Sequence, residues 1–169
     1  MKDETNYIEI DPIDKIDEIL DIFKQHNPRV FMNTDEGYDW IEEDDSKCIV
    51  FENPYGGESL EILVGDFGEF TIHFNGHAHY SGYQDSYDLM IENISDIFCN
   101  RSCAGILTDK DGKWYGGGYF DKSEINEQPQ KLFDFVFNIK EFFNHLTKEG
   151  YIVKYCFWNP IDDITINNY

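Results

Sequence analysis

The sequence predicts an α+β fold, with a largely antiparallel β-sheet and about three helices packed on it. Three observations predict it. Apolar residues alternate with a period of two in stretches that come as pairs joined by turn residues, which is the pattern of hairpins rather than of strands threaded singly between helices. Other stretches repeat apolar residues at i, i+3 and i+4, the spacing of one helix face. The chain has 169 residues, 41% apolar and 17% aromatic, enough for one domain with a real core. Residues 1–169 are therefore expected to form a single domain, with 1–10 and 161–169 less ordered than the rest.

The elements follow in order. Asp11-Pro12 reads as the N-cap and first position of a helix, and Ile13, Ile16, Ile19, Leu20 and Phe23 then share one side. Asn27-Pro28 closes it. Val30-Phe31-Met32 suits a short strand, and the acidic stretch after it a loop. Cys48–Glu52 is an apolar run stopped by the turn cluster Asn53-Pro54-Tyr55-Gly56-Gly57. Ser59–Val64 puts Leu60, Ile62 and Val64 on one face. Gly65–Gly68 connects it to Glu69–Asn75, whose Phe70, Ile72 and Phe74 alternate with Thr71 and His73.

A second helix is predicted from Asp85 or Ser86, carrying Tyr87, Met90, Ile91, Ile94, Ile97 and Phe98. Arg101–Thr108 and Trp114–Phe120 form a hairpin around Asp111-Gly112, and Gly116-Gly117-Gly118 marks a bulge in its second strand. A third helix is expected over Leu132–Leu146, then a last strand over Tyr151–Trp158.

Charge excludes whole classes of function. With 34 acids against 13 bases the net charge is −21, which opposes non-specific nucleic-acid binding and adhesion to an anionic membrane surface. No apolar run is long enough to span a bilayer. Met1–Asn6 has no apolar core, so no secretion signal is expected and a cytoplasmic location is. Cys48, Cys99, Cys103 and Cys156 lack paired C-x-x-C spacing and are expected to be reduced, mostly buried thiols.

The acids are uneven, with 20 of the 34 in residues 1–69. Asp35, Glu36, Asp39, Glu42, Glu43, Asp44 and Asp45 place seven acids in eleven residues, with Tyr38 and Trp40 among them. As a solvated loop this stretch only keeps the protein soluble. As a binding surface it is a carboxylate patch with aromatic anchors, suited to a basic protein partner. The exposed rings expected to extend such a surface are Tyr80, Tyr83, Tyr87, Trp114, Tyr115 and Tyr119.

The second candidate is His73, His77 and His79. On extended chain His77 and His79 share a face, and a third imidazole nearby makes a three-nitrogen metal site conceivable, hence a metal-dependent hydrolase as the alternative function. Against it stand the missing H-E-x-x-H pattern and the preferred reading, in which these histidines lie at a strand end and in a turn, hydrogen-bonded to backbone or acids. No nucleophile signature and no phosphate loop is present. The preferred reading has no cofactor and no catalysis.

Two segments carry a resemblance: Glu69–Phe74 running into His77-Ala78-His79-Tyr80, and Ile94–Asp121 with Asp111-Gly112-Lys113-Trp114 and Gly118-Tyr119-Phe120-Asp121. On them the chain resembles the immunity proteins of bacterial polymorphic-toxin and contact-dependent inhibition systems. The resemblance implies an α+β inhibitor, monomeric or weakly dimeric, that occludes a cognate toxin without chemistry. A nuclease toxin fits the charge, because carboxylates imitate phosphates on a basic surface. The remaining expectation is an adaptor domain whose acidity serves only solubility.

Overall fold

The computed structural model describes residues 7–127 and 148–168. The fold is α+β, and every strand pairing in the described residues is antiparallel. The strands build two sheets, and the chain divides into two compact units. The helix expected over Leu132–Leu146 lies outside the described residues.

The first unit comprises Met1–Asn53, Ser59–His73 and His77–Ile94. Asp11 caps its first helical turn, its Oδ1 accepting from the Ile13 amide at 3.0 Å. A 3-10 turn over Pro12–Lys15 runs into α1 (Ile16–Ile22), which buries Ile19. Asn27 ends the segment in the left-handed region, a conformation its short polar side chain tolerates. Five strands follow: β1 (Arg29–Phe31), β2 (Lys47–Phe51), β3 (Leu60–Val64), β4 (Glu69–His73) and β5 (His77–Ser81), in that spatial order. The inner face carries Ile49, Phe51, Leu60, Ile62, Val64, Phe70 and Ile72, all buried. α2 (Gln84–Phe98) begins in this unit and packs on the sheet through Tyr87 and Phe70, whose rings lie 5.5 Å apart, and through an Asn93 amide that donates to the Tyr80 hydroxyl at 2.9 Å.

The second unit holds β6 (Ser102–Asp109), β7 (Trp114–Asp121), α3 (Lys122–Glu127), β8 (Tyr151–Cys156) and β9 (Ile164–Asn168). Its sheet runs β7-β6-β8-β9. The bulge expected at the glycines is present: Leu107 pairs with Gly116 and Thr108 with Trp114, leaving Tyr115 extra. Gly105 has a packing reason, since a Cβ there would lie 2.5 Å from the Phe120 ring, which covers this backbone. Cys103, Leu107, Phe120, Val153 and Tyr155 bury together over that position. Residues 164–168 are a paired strand, where composition alone left packing and fraying open.

Three expectations change. Tyr80 and Tyr87 are buried, because both point into the core beneath α2; of the expected exposed rings Tyr83 and Trp114 are exposed, and Tyr115 and Tyr119 half-buried. Cys99 is exposed in the last turn region of α2, while Cys48 and Cys103 are buried and Cys156 lies between. His77–Ser81 is a regular strand, not a turn.

Candidate functional site: the outer face of the five-stranded sheet

Antiparallel register places two rows of side chains across the outer face of the first sheet. One row reads Phe31, Cys48, Leu63, Thr71, His79; the next reads Arg29, Val50, Glu61, His73, His77. Side chains two residues apart on a strand share a face, so both rows point the same way. One end of the face is therefore apolar and the other carries all three candidate histidines.

The acidic stretch lies over this face. Its chain makes successive tight turns, with Asp35, Tyr38 and Ile41 amides donating to the carbonyls of Met32, Asp35 and Tyr38. Ile41 is buried against Cys48, Val50 and Leu63, and Phe31 and Tyr38 pack on that cluster. The Phe31 and Tyr38 rings stack at 4.2 Å, nearly parallel. Tyr38 then meets Trp40 at 6.1 Å, Trp40 meets His73 at 6.3 Å, His73 meets His77 at 6.3 Å and His77 meets His79 at 5.4 Å. A continuous stripe of rings thus joins the two sets of candidate residues that spacing in the sequence kept apart. Trp40 stays 42% exposed within it.

The seven acids divide by what they do. Asp35 accepts from the Met32 amide at 2.7 Å, Asp44 from the Asn33 side chain at 2.9 Å, and Glu43 from the Phe67 amide at 3.3 Å. Those three hold the loop in shape. Glu36, Asp39, Glu42 and Asp45 are exposed and make no hydrogen bond or ion pair with other described side chains. They are charges presented to solvent.

The electrostatics follow burial. Burial pushes the Cys48 thiol up to about 12, helped by Glu61, so it is an inert apolar group under the loop. Burial likewise raises the Tyr38 hydroxyl, with Cys48 and Glu61 adding to it. Burial lowers the His73 imidazole, and His77 and His79 lower it further by repulsion. His79 shares a 3.0 Å hydrogen bond between its Nδ1 and the Thr71 hydroxyl, with Glu69 3.8 Å from the same nitrogen. Among the described residues no group of three His, Cys, Asp or Glu side chains is placed to hold a metal ion.

His73 makes stability depend on pH. Its folded value lies below the ordinary imidazole value, so the unfolded chain takes up the proton first, and stability falls as pH drops below about 6.5. Denaturation midpoints from pH 7.5 to 5 are expected to fall less steeply in His73→Gln than in the wild type. Parallel curves would remove His73 from the explanation and leave His26, which burial also lowers, to carry it.

Reading the sequence missed Ile41 as the loop's anchor, although the unbroken apolar run Cys48–Phe51 signals a strand covered on both faces. It also passed over Phe67, which sits in the left-handed region at φ 53° and is 73% exposed. Comparison with family models, with curated proteins and with solved structures finds no match to this chain. No helix among the described residues is long and apolar enough to cross a membrane.

Proposed function

We propose that this chain is an immunity-type inhibitor that captures a cognate toxin in the cytoplasm, docking through the outer face of its five-stranded sheet and performing no chemistry. One observation carries the reading. Trp40 is a half-exposed aromatic held between Tyr38 and His73, in the same loop as four carboxylates that engage no side chain among the described residues. A pre-positioned aromatic loses little freedom on binding and makes a strong interface anchor. Unpaired carboxylates around it select a basic surface and speed its approach.

The test is rescue of growth. The product of the reading frame next to this gene is expressed with and without this chain, and the purified pair is then titrated. Expected are restored survival, a 1:1 complex, and at least about tenfold weaker binding by Trp40→Ala, as for an interface hot spot. A harmless neighbour, a toxin that this chain fails to neutralise, or a Trp40→Ala complex of unchanged affinity counts against the reading. The last result would move docking away from this face.

A further inference from the structure

A concave surface lies in the same unit, between the N-terminal segment and the β3–β4 connection. It is a cleft of about 720 Å³ whose lining includes Glu9, Asp11, Phe67, Glu69, Gly82 and Tyr83. Its walls are fixed by backbone pairing. The Ile10 amide donates to the Gly82 carbonyl and the Gln84 amide to the Ile8 carbonyl, both at 2.9 Å, and Glu9 bridges Tyr83. A Cβ at Gly82 would stand 2.7 Å from the Gly68 carbonyl and 3.2 Å from that of Ile10, so only glycine lets the strands meet this closely.

The lining combines two features that a folded chain usually keeps apart. Phe67 exposes most of its ring from a left-handed backbone position between Gly65 and Gly68, and Tyr83, backed by Tyr7 at 5.7 Å, is also exposed. Glu9, Asp11 and Glu69 supply carboxylates to the same cleft, and among the described residues no Lys or Arg lines it. Apolar ring surface beside carboxylates that no lining Lys or Arg faces suits one ligand chemistry well: a flat cation with an apolar face. A guanidinium stacks on aromatic rings while its N–H groups reach carboxylates, and it is more weakly hydrated than an ammonium.

We propose that this cleft receives an arginine side chain of the protein partner. The inference rests on the docking reading above, in that the partner is a basic protein. The cleft is also continuous with the acidic loop, because Glu43 accepts from the Phe67 amide and Glu43 in turn donates its amide to Asp66.

The experiment uses the full chain, labelled with 15N, and N-acetyl-L-arginine amide as the probe. N-acetyl-L-lysine amide and N-acetyl-L-norleucine amide serve as comparators. Saturable shifts are expected at the Gly68, Glu69, Gly82 and Tyr83 amides with arginine, roughly threefold weaker binding with lysine, and no saturation with norleucine. Phe67→Gly suits the left-handed backbone and keeps the fold; it is expected to weaken arginine binding by roughly fivefold, and Glu69→Gln by roughly threefold. Absence of saturation, equal binding of lysine or norleucine, or wild-type binding by Phe67→Gly overturns the proposal. The two readings fail separately. Arginine binding here without any toxin partner would sink the docking reading and, with it, the assignment of the arginine to that partner, and a toxin complex indifferent to Phe67→Gly would sink the cleft proposal alone.

Discussion

Replacing Glu36, Asp39, Glu42 and Asp45 by Gln or Asn is expected to slow capture of a basic partner by about ten- to a hundredfold at low ionic strength. The change removes four of the 34 acids and takes the net charge from −21 to −17. Among the described residues these four carboxylates make no bond that shapes the loop, so the variant should keep the fold. It should also gain a little stability, because like charges crowded into eleven residues repel one another in the native state. Dissociation should change far less than association, since long-range attraction acts before contact. Stopped-flow mixing at about 20 mM and about 300 mM salt separates the cases, because added salt shortens the reach of the field. The wild type should slow steeply with salt, and the variant should hardly respond. Equal association rates for the two proteins at low salt would remove the steering role. A control neutralising Asp35, Glu43 and Asp44 should behave differently, losing stability because those side chains hold backbone and side-chain partners.

That contrast marks how much of the site the sequence could yield. The cluster 35–45 and its two aromatics were visible as composition. Which carboxylates are structural was not, because the partners lie elsewhere in the chain: Asn33 reaches Asp44 across eleven residues, and the Phe67 amide reaches Glu43 across twenty-four. The three histidines were visible as a spacing: alternation put His73 opposite the Phe70–Ile72–Phe74 face and His77 on the same face as His79, but the strand that pairs His77 with His73 was not foreseen. Their meeting with Trp40 was not legible, since it depends on β1 and β2 carrying the loop over the same sheet. Hairpins of the fold were legible where turn chemistry is strong, as at Asp111-Gly112, where the Asp109 carboxylate also accepts from the Asp111 and Lys113 amides at 2.9 Å. The division of the strands into two sheets was not, because period-two patterning reports a buried face without saying which neighbour a strand takes. Tyr80 and Tyr87 show the same limit. A tyrosine has an apolar body and a polar tip, and only the neighbours decide whether it faces water; here Phe70 and Asn93 draw both inward.

Ile41→Ala is expected to destabilise the first unit by about 2–5 kcal/mol, the range for truncating a buried aliphatic side chain. Ile41 is the buried residue of the acidic loop that seats it among Cys48, Val50 and Leu63. The loop must overcome its own repulsion to lie on the sheet, and this apolar contact, with the Phe31–Tyr38 stack, opposes that repulsion. Losing it should release the loop before the sheet. Hydrogen exchange should therefore show the Ile41 amide, which donates to the Tyr38 carbonyl at 3.1 Å, losing protection ahead of amides in β3 and β4. Simultaneous loss of protection across all of these would mean that the loop and the sheet form one cooperative unit, and the anchor argument would fail. Partner binding gives an independent signature. The variant keeps every charge, so steering persists and association should change little. Trp40, no longer pre-positioned beside His73, must be ordered at each encounter, which weakens the complex mainly through faster dissociation. Charge neutralisation and anchor removal thus act on opposite sides of the binding constant, and a variant pair that shifted the same rate constant would show that loop shape and loop charge are not separable functions of this face.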